Sequence, residues 1–142
     1  MLVADSSIWL EWFTNGERVD VAQRLLGLPV HVPVLVYHEV FKFLHREKGL
    51  DDARTAAATM LSRASGSIEP LEQDVALAGA RLCVEERPRM AMADALILTH
   101  ARHLRLPLAS LDHHFENRVG ALWWPKGSHR LRASDPDWPT GW

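Results

Sequence analysis

Four carboxylates of this chain stand where an apolar segment begins, ends or turns inward: Asp5, Glu39, Asp94 and Asp112. A carboxylate beside buried surface is costly in free energy unless a cation neutralises it. Hard divalent cations such as Mg²⁺ take oxygen ligands, among which carboxylates are prominent. We therefore expect the four acids to form one metal pocket.

Asp5 and Asp112 each close a short apolar run. Asp5 follows residues 1–4, and Asp112 follows residues 106–111. Such runs lack polar alternation and lie among helical patterns, which predicts strands of a parallel sheet that are buried on both faces. In open α/β sheets ligands bind at the carboxyl ends of the strands, where both acids would stand. The alternative is that each acid only caps the helix that follows it.

Glu39 lies in a predicted helix over residues 33–44. Pro33 suits the first turn, and apolar residues recur at helical spacing along one side. Because Glu39 is four residues from both Leu35 and Phe43, it borders this apolar stripe and is expected to point inward. The alternative is a surface residue paired with Lys42, an interaction worth only about 0.2 to 0.5 kcal/mol.

Asp94 opens a predicted helix over residues 94–104. The helix dipole favours an acid in the first turn, which is a sufficient structural reason for an Asp there. The dipole does not explain why Leu98 and Ala101 place apolar side chains on the same side of the helix. Asp94 is therefore also expected to border the core.

These residue types suit the hydrolysis of a phosphodiester. The reaction needs a hydroxide at neutral pH and neutralisation of charge on the nonbridging and leaving oxygens. A divalent ion held by carboxylates supplies both, and two ions about 3.5 to 4 Å apart would clamp the attacking and leaving oxygens. The sequence thus predicts a metal-dependent nuclease. Because the acids repel one another, we also expect the metal-free protein to gain stability when metal binds.

The rest of the chain supplies the elements of a parallel sheet. Helices are predicted over residues 19–26, 51–63 and 74–86, and strands over residues 30–32, 68–71 and 121–124, the last at the edge of the sheet. Helices alternate with short strands, as a parallel sheet requires. After Pro125 the composition shifts to Gly, Ser, Asp and Pro. We therefore divide the chain into one domain, residues 1–125, and a C-terminal tail of doubtful order, residues 126–142.

Composition limits the class of protein. The 142 residues, 47% of them hydrophobic, suffice for one domain with a buried core. A net charge of −2 and a pI near 6.4 give only weak support for a nucleic-acid partner. The cations are mostly arginines, which bind phosphate bidentately, although each local group also fits an ordinary solvated helix face. These groups are Arg46, Lys48 and Arg54; Arg87 and Arg89; Arg102 and Arg105; and Lys126, Arg130 and Arg132.

The cellular compartment is inferred from two features of the sequence. Cys83 is the single cysteine, so it forms no internal disulfide, and we interpret it as a core residue of a protein from a reducing cytoplasm. Met1 leads straight into a strand, so we expect no signal peptide, and no apolar stretch approaches the ~18 residues of a membrane span. We therefore expect a cytoplasmic protein without a membrane partner.

Taken together, the motifs resemble those of the PIN-domain ribonucleases. They are a first strand that ends in Asp5-Ser6-Ser7, a Glu in an apolar helix, the helix start Ala93-Asp94-Ala95-Leu96-Ile97, and a late strand that ends in Asp112 with Phe115 after it. The match spans about residues 1–125 in the right order. The small single-domain form is similar to the VapC toxins of bacterial toxin–antitoxin pairs.

The resemblance implies an α/β fold, namely a PIN-like three-layer α/β/α sandwich around a central, mostly parallel sheet. It also implies an endoribonuclease that hydrolyses RNA with one or two Mg²⁺ or Mn²⁺ ions. The implied partners are the RNA substrate, a cognate antitoxin protein and a second copy of the chain in a homodimer. A solitary PIN-type RNA-processing nuclease and a non-catalytic PIN-like binding module are the alternatives, because folds do not dictate function.

The resemblance also assigns roles to individual residues. The catalytic and metal-binding acids are Asp5, Glu39, Asp94 and Asp112. Ser7 and Ser110 match small hydroxyl residues that hydrogen-bond within the site. Many such relatives carry a further acid two residues after the last Asp, where this chain has His114. Glu116 is a nearby acid that could substitute, so the sequence leaves both one and two metal ions open.

Short motifs elsewhere suggest rival functions. Asp112-His113-His114 is the signature tripeptide of DHH phosphoesterases, but no Asp-x-Asp strand motif accompanies it. His100 and His103 have helical spacing for a zinc site, yet without a third ligand we expect them on a solvated face. A HAD-type phosphatase would need a second Asp where Ser7 stands. None of these motifs replaces the nuclease prediction.

Aromatic residues cluster just after the first acid. Trp9, Trp12 and Phe13 could form core, a base-stacking platform or a protein-contact patch. Core packing is the default interpretation for large apolar side chains at helical spacing.

Overall fold

Short buried strands at the centre of the molecule follow from the apolar runs of the sequence. The computed structural model describes residues 1–64, 66–126 and the backbone of 132–133. Its strands are β1 (Leu2–Ala4), β2 (Val30–His31), β3 (Leu108–Ser110), β4 (Ala121–Trp123) and β5 (Arg132–Ala133). Every residue of β1 and β3 is buried, as expected for parallel strands that are covered on both faces.

The pairing of the strands brings two of the acids to one edge of the sheet. The order is β2-β1-β3-β4-β5, with all pairs parallel except β4 and β5. Ala4 lies opposite Ala109, and the Asp5 N–H donates to the Ala109 carbonyl at 2.9 Å. The carboxyl ends of β1 and β3 are therefore side by side, and Asp5 and Asp112 follow them. The predicted α/β/α architecture with a mostly parallel sheet is confirmed.

Helices cover the sheet and carry the other two acids. They are α1 (Ser6–Phe13), α2 (Val19–Leu26), α3 (Val34–Lys48), α4 (Leu50–Arg63), α5 (Gln73–Glu85) and α6 (Met92–Leu104), with a 3₁₀ turn at His113–Phe115. Glu39 lies on α3 and Asp94 in the first turn of α6. Helices α5 and α6 pack closely at Gly79, where an added Cβ atom would lie only 2.6 Å from Leu96 Cδ2. Among the described residues, no helix is both long and apolar enough to cross a membrane.

The predicted strand over residues 68–71 is wrong. Glu69 forms only an isolated parallel bridge with Pro33. Its N–H donates to the Val32 carbonyl at 2.9 Å, and its carbonyl accepts from Val34 N–H at 2.8 Å. The following residue, Pro70, has no N–H to extend a ladder, and a proline therefore ends the pairing.

The placement of β4 at the edge of the sheet is also wrong. Strand β5 pairs with β4 in antiparallel fashion, with Leu122 opposite Ala133 and Trp123 opposite Arg132. Strand β5 falls within the segment that the sequence assigns to the tail. The remaining tail residues, 127–131 and 134–142, lie outside the described residues, so the division of the chain at residue 125 stays a prediction.

Helix α6 is buried on more sides than the sequence indicates. The expectation that His100 lies on a solvated face is wrong, because this side chain is 4% exposed and burial lowers its pKa. His103 is exposed, with Nδ1 3.5 Å from Asp74 Oδ2. The physical reason is that α6 lies against α5 and also contacts α3, so its second face is covered.

The aromatic cluster and the cysteine lie in or against the core. Trp9 is fully buried, and Trp12, Phe13 and Cys83 are half-buried and pack against the core. The rings of Trp9 and Phe13 stack with centroids 6.1 Å apart. The core interpretation is confirmed for Trp9, whereas Trp12, Phe13 and Cys83 lie at the margin of the core with part of each side chain exposed.

Candidate active site

Asp5 is the most deeply buried of the four acids, at 3% exposure. It ends β1 and takes the N-cap position of α1. Its Oδ2 accepts hydrogen bonds from the hydroxyls of Ser7 at 2.8 Å and Ser110 at 2.9 Å, and a longer one, 3.4 Å, from the Ser7 N–H. One carboxylate oxygen thus joins the ends of β1 and β3.

The two serines are themselves held by the backbone after β3. The Leu111 N–H donates to Ser7 Oγ at 3.0 Å, and the Asp112 N–H donates to Ser110 Oγ at 2.9 Å. Each hydroxyl therefore accepts from an amide and donates its own proton to Asp5. This arrangement fixes the orientation of the Asp5 carboxylate before any ligand binds.

The surroundings of Asp5 disfavour the ionised form of its carboxyl group. Burial raises the pKa of this carboxyl to about 6, and the hydrogen bonds from Ser7 and Ser110 oppose the rise only in part. The negative charges of Glu39 and Asp94 raise the pKa further. A cation among these groups would relieve both the burial of charge and the repulsion.

Glu39 faces this acidic cluster from α3. Its side chain is half-buried, and burial raises its pKa, while a hydrogen bond with the Ser6 side chain lowers it. Asp94 raises the pKa of Glu39 and Lys42 lowers it. Both sequence interpretations thus have a structural basis, because Glu39 interacts with the acid cluster and with Lys42.

Asp94 interacts electrostatically with the rest of the acid cluster. Burial raises its pKa, the charge of Asp112 adds to the rise, and His114 opposes it. The Asp94 carboxylate also appears among the groups that raise the pKa of Asp5 and of Glu39. Asp94 therefore interacts with each of the other three acids, which come from three different elements.

Asp112 caps the 3₁₀ turn and lies beside two histidines. Its Oδ1 accepts from the His114 N–H at 3.0 Å, which matches the capping alternative of the sequence analysis. The same oxygen lies 3.3 Å from His114 Nδ1 and 3.5 Å from His113 Nδ1. Each carboxylate oxygen has two lone pairs, so the cap hydrogen bond to Oδ1 leaves Asp112 able to bind a metal ion through either oxygen.

The structure distinguishes His114, which stands where many relatives carry a further acid, from Glu116, the nearby acid that could substitute. Glu116 is exposed, and among the described contacts no side-chain hydrogen bond or ion pair joins it to the four acids. His114 instead reaches Asp94, with Nδ1 3.1 Å from Asp94 Oδ2. In the sequence, His114 is only a departure from the pattern of relatives that carry an acid at this position. Its spacing, two residues after Asp112, was the signal that could have placed it in the cluster.

Two open grooves meet at His113 and His114. One of about 610 Å³ is lined by residues that include Arg87, Arg89, Asp94, Glu116 and Arg118. The other, of about 700 Å³, is lined by residues that include Ser7, Arg18, Asp112, Trp123 and Lys126. Asp94 thus lines one groove and Asp112 the other, and each groove has cationic side chains in its lining.

The donor set fits a hard divalent cation. The cluster offers carboxylates from four elements, and the most buried of them lacks a cationic side chain among its hydrogen-bond partners. The ligand atoms of Asp112 and His114 lie within 4.8 Å of one another. Oxygen-rich sites of this kind suit Mg²⁺ and Mn²⁺.

Comparison with known proteins gives a family and a set of similar folds. The family model described as PIN domain matches residues 2–120. VapC20 of Mycobacterium tuberculosis, a sarcin-ricin loop cleaving toxin, is 20% identical with a TM-score of 0.74, and the match covers 93% of this chain and 100% of that one. A toxin–antitoxin complex from Klebsiella pneumoniae is 22% identical with a TM-score of 0.66, covering 85% and 95%. FitAB bound to a DNA fragment is 20% identical with a TM-score of 0.69, covering 87% and 94%. The comparison with curated proteins found no match.

Proposed function

The chain belongs to the PIN domain family, and we propose on that premise that it is a metal-dependent endoribonuclease, the toxin of a VapBC-type toxin–antitoxin pair. One observation carries the hydrolytic part of the proposal. Four acids from four elements meet at the carboxyl end of the sheet, and Asp94 interacts with the other three. A cluster of this kind is unfavourable in an isolated fold and favourable around a cation.

Asp5, Glu39, Asp94 and Asp112 would hold the ion. A bound Mg²⁺ or Mn²⁺ would lower the pKa of a coordinated water and neutralise charge on the scissile phosphate. Ser7 and Ser110 hold Asp5 in one orientation, so little reorganisation is needed when a ligand arrives. Because burial raises the pKa of Asp5 to about 6, the metal-free site is more fully ionised above that pH than below it.

The two grooves are the proposed path of the RNA strand. Arg89 is exposed at one groove and Lys126 at the other, and both would approach phosphates on either side of the scissile bond. Arg118 is 6% exposed and donates from Nη2 to the Pro88 carbonyl. This contact supports the loop that carries Arg87 and Arg89, so we assign Arg118 a positioning role.

The toxin assignment draws on the similar structures. VapC20 is a sarcin-ricin loop cleaving toxin, and the Klebsiella pneumoniae structure is a toxin–antitoxin complex. For this chain we propose an antitoxin protein as partner, a homodimer as assembly and the cytoplasm as location. We also propose that residues 1–125 form the nuclease domain.

The proposal is tested by RNA cleavage with Mg²⁺ or Mn²⁺ and with EDTA. The informative variant is Asp112→Asn, because Asn caps a helical turn as well as Asp does but removes the charge. The matched control is Asp51→Asn, an exposed acid in the first turn of α4. Cleavage should require the metal, should fall at least about a hundredfold in Asp112→Asn and should persist in Asp51→Asn.

Two other outcomes would replace parts of the proposal. Metal-dependent cleavage without growth arrest on expression would contradict the toxin role and favour a solitary RNA-processing nuclease. RNA binding without cleavage under either metal would contradict the enzyme and favour a PIN-like binding module.

A further inference from the structure

The imidazole of His114 lies between two of the acids. Its Nδ1 is 3.1 Å from Asp94 Oδ2 and 3.3 Å from Asp112 Oδ1. The side chain is 55% exposed, so a solute in the grooves can reach it. Two carboxylate oxygens from different elements therefore converge on one ring nitrogen.

A proton on His114 Nδ1 accounts for only one of these two short distances. A single N–H donates well to one oxygen at a time, while the second oxygen remains within 3.3 Å. Adjacent ligands of an octahedral ion at about 2.1 Å are about 3.0 Å apart, which is close to both spacings. An ion in place of the proton would be shared by all three atoms.

We propose that His114 is itself a ligand of the bound metal ion and that its nitrogen makes the site prefer Mn²⁺ over Mg²⁺. This inference rests on the metal-binding part of the proposed function. Mg²⁺ favours sites made of oxygen alone, whereas first-row transition ions accept imidazole readily. A carboxylate at this position would leave the site without this discrimination.

The neighbouring His113 provides a matched control. Its Nδ1 approaches only Asp112, at 3.5 Å, and its side chain is 76% exposed. No described hydrogen bond or ion pair joins His113 to Asp94, and His113 acts on that acid only as a nearby charge, so we expect His113 not to be a ligand. Replacing it removes an imidazole of the same chemistry, one residue away, and leaves the convergence on His114 intact.

The test is calorimetric titration of metal-free protein with Mn²⁺ and with Mg²⁺ at one pH. Wild type, His114→Ala, His113→Ala and His114→Asp are compared after circular dichroism has shown that each is folded. His114→Ala should weaken Mn²⁺ binding at least about tenfold and Mg²⁺ binding less than about threefold, since only Mn²⁺ gains from the nitrogen ligand. His113→Ala should match wild type, and His114→Asp should reduce the preference by strengthening Mg²⁺ binding.

Pulsed electron paramagnetic resonance of the Mn²⁺-loaded protein gives a direct signature. Modulation from a coordinated ¹⁴N should be present in wild type and His113→Ala and absent in His114→Ala. No ¹⁴N coupling in wild type would overturn the proposal. So would an equal loss of Mn²⁺ and Mg²⁺ affinity in His114→Ala, because that result would make His114 a counter-charge to the acids.

These measurements involve no RNA, so the two proposals fail separately. Cleavage with a site that shows no ¹⁴N coupling would overturn the role of His114 and leave the nuclease standing. A ¹⁴N-coupled Mn²⁺ site in a protein that cuts no RNA would support the role of His114 and remove the nuclease.

Discussion

Replacing Asp5 by Asn should stabilise the metal-free protein at neutral pH, and the gain should shrink as the pH falls. Asp5 is 3% exposed, and burial raises its pKa from 3.8 to about 6. The folded state thus binds this proton more tightly than the unfolded chain does. The ionised carboxylate therefore destabilises the fold above pH 6, and that cost is lost as the pH falls toward 3.8.

The size of the effect follows from the two pKa values. A difference of about two pKa units, at about 1.36 kcal/mol each, costs about 3 kcal/mol at pH 7.5 and about half of that at pH 5. Asn keeps an oxygen that accepts from Ser7 and Ser110 but makes weaker, uncharged hydrogen bonds, which offsets about 1 kcal/mol. We expect a net gain of about 2 kcal/mol at pH 7.5.

Urea unfolding in EDTA at pH 7.5 and pH 5.0 measures this gain. The difference in free energy of unfolding between Asp5→Asn and wild type should fall by roughly 1 kcal/mol from the higher to the lower pH. The control, Asp51→Asn, removes the same charge from an exposed position and should show a much smaller change. A stability difference that is independent of pH would refute the claim that Asp5 is buried beside other negative charges.

Three further predictions concern the rest of the site and the core. Glu39→Gln should weaken Mn²⁺ binding, with part of the lost cleavage rate restored at high Mn²⁺; a titration like that of wild type would remove Glu39 from the site. Gly79→Ala should cost roughly 1 to 3 kcal/mol of unfolding free energy in urea, because its Cβ would lie 2.6 Å from Leu96 Cδ2, and the cost should shrink in a Leu96→Ala background. Arg89→Ala should weaken RNA binding and lower the salt dependence of that binding by the equivalent of about one phosphate contact. The control Arg54→Ala, on the exposed face of α4, should change neither quantity, and equal effects of the two substitutions would contradict the proposed groove.

Much of the fold could be predicted from the sequence because the apolar runs that form strands are followed directly by residues that favour turns. The apolar runs before Asp5 and Asp112 form β1 and β3, and the helical patterns correctly predicted the helices that carry Glu39 and Asp94. The failures have local causes. Pro70 ends the pairing of a segment whose apolar residues predicted a strand. Strand β5 pairs through its backbone groups, and the polar residues of that segment show no pattern that predicts a strand.

The site was less fully predictable because side-chain partners depend on tertiary placement. The spacing of Ser7 and Ser110 relative to the acids suggested hydrogen bonds, and both donate to Asp5. The spacing after Asp112 signals that His114 is near the acids, but its contact with Asp94 joins residues 20 positions apart and depends on the fold. The burial of His100 likewise depends on which helices pack against α6. The catalytic and metal-binding roles of the acids stay predictions.

The most direct test of the central claim is the metal dependence of RNA cleavage by Asp94→Asn. Asp94 interacts with the other three acids, so its charge should matter most to a shared ion. Wild type should cut RNA with Mg²⁺ or Mn²⁺ and stop in EDTA. Folded Asp94→Asn should be at least about a hundredfold slower and should bind Mn²⁺ more weakly in the same buffer. Cleavage by folded Asp94→Asn within about threefold of wild type, at the same Mn²⁺ dependence, would contradict a metal site built on these four acids.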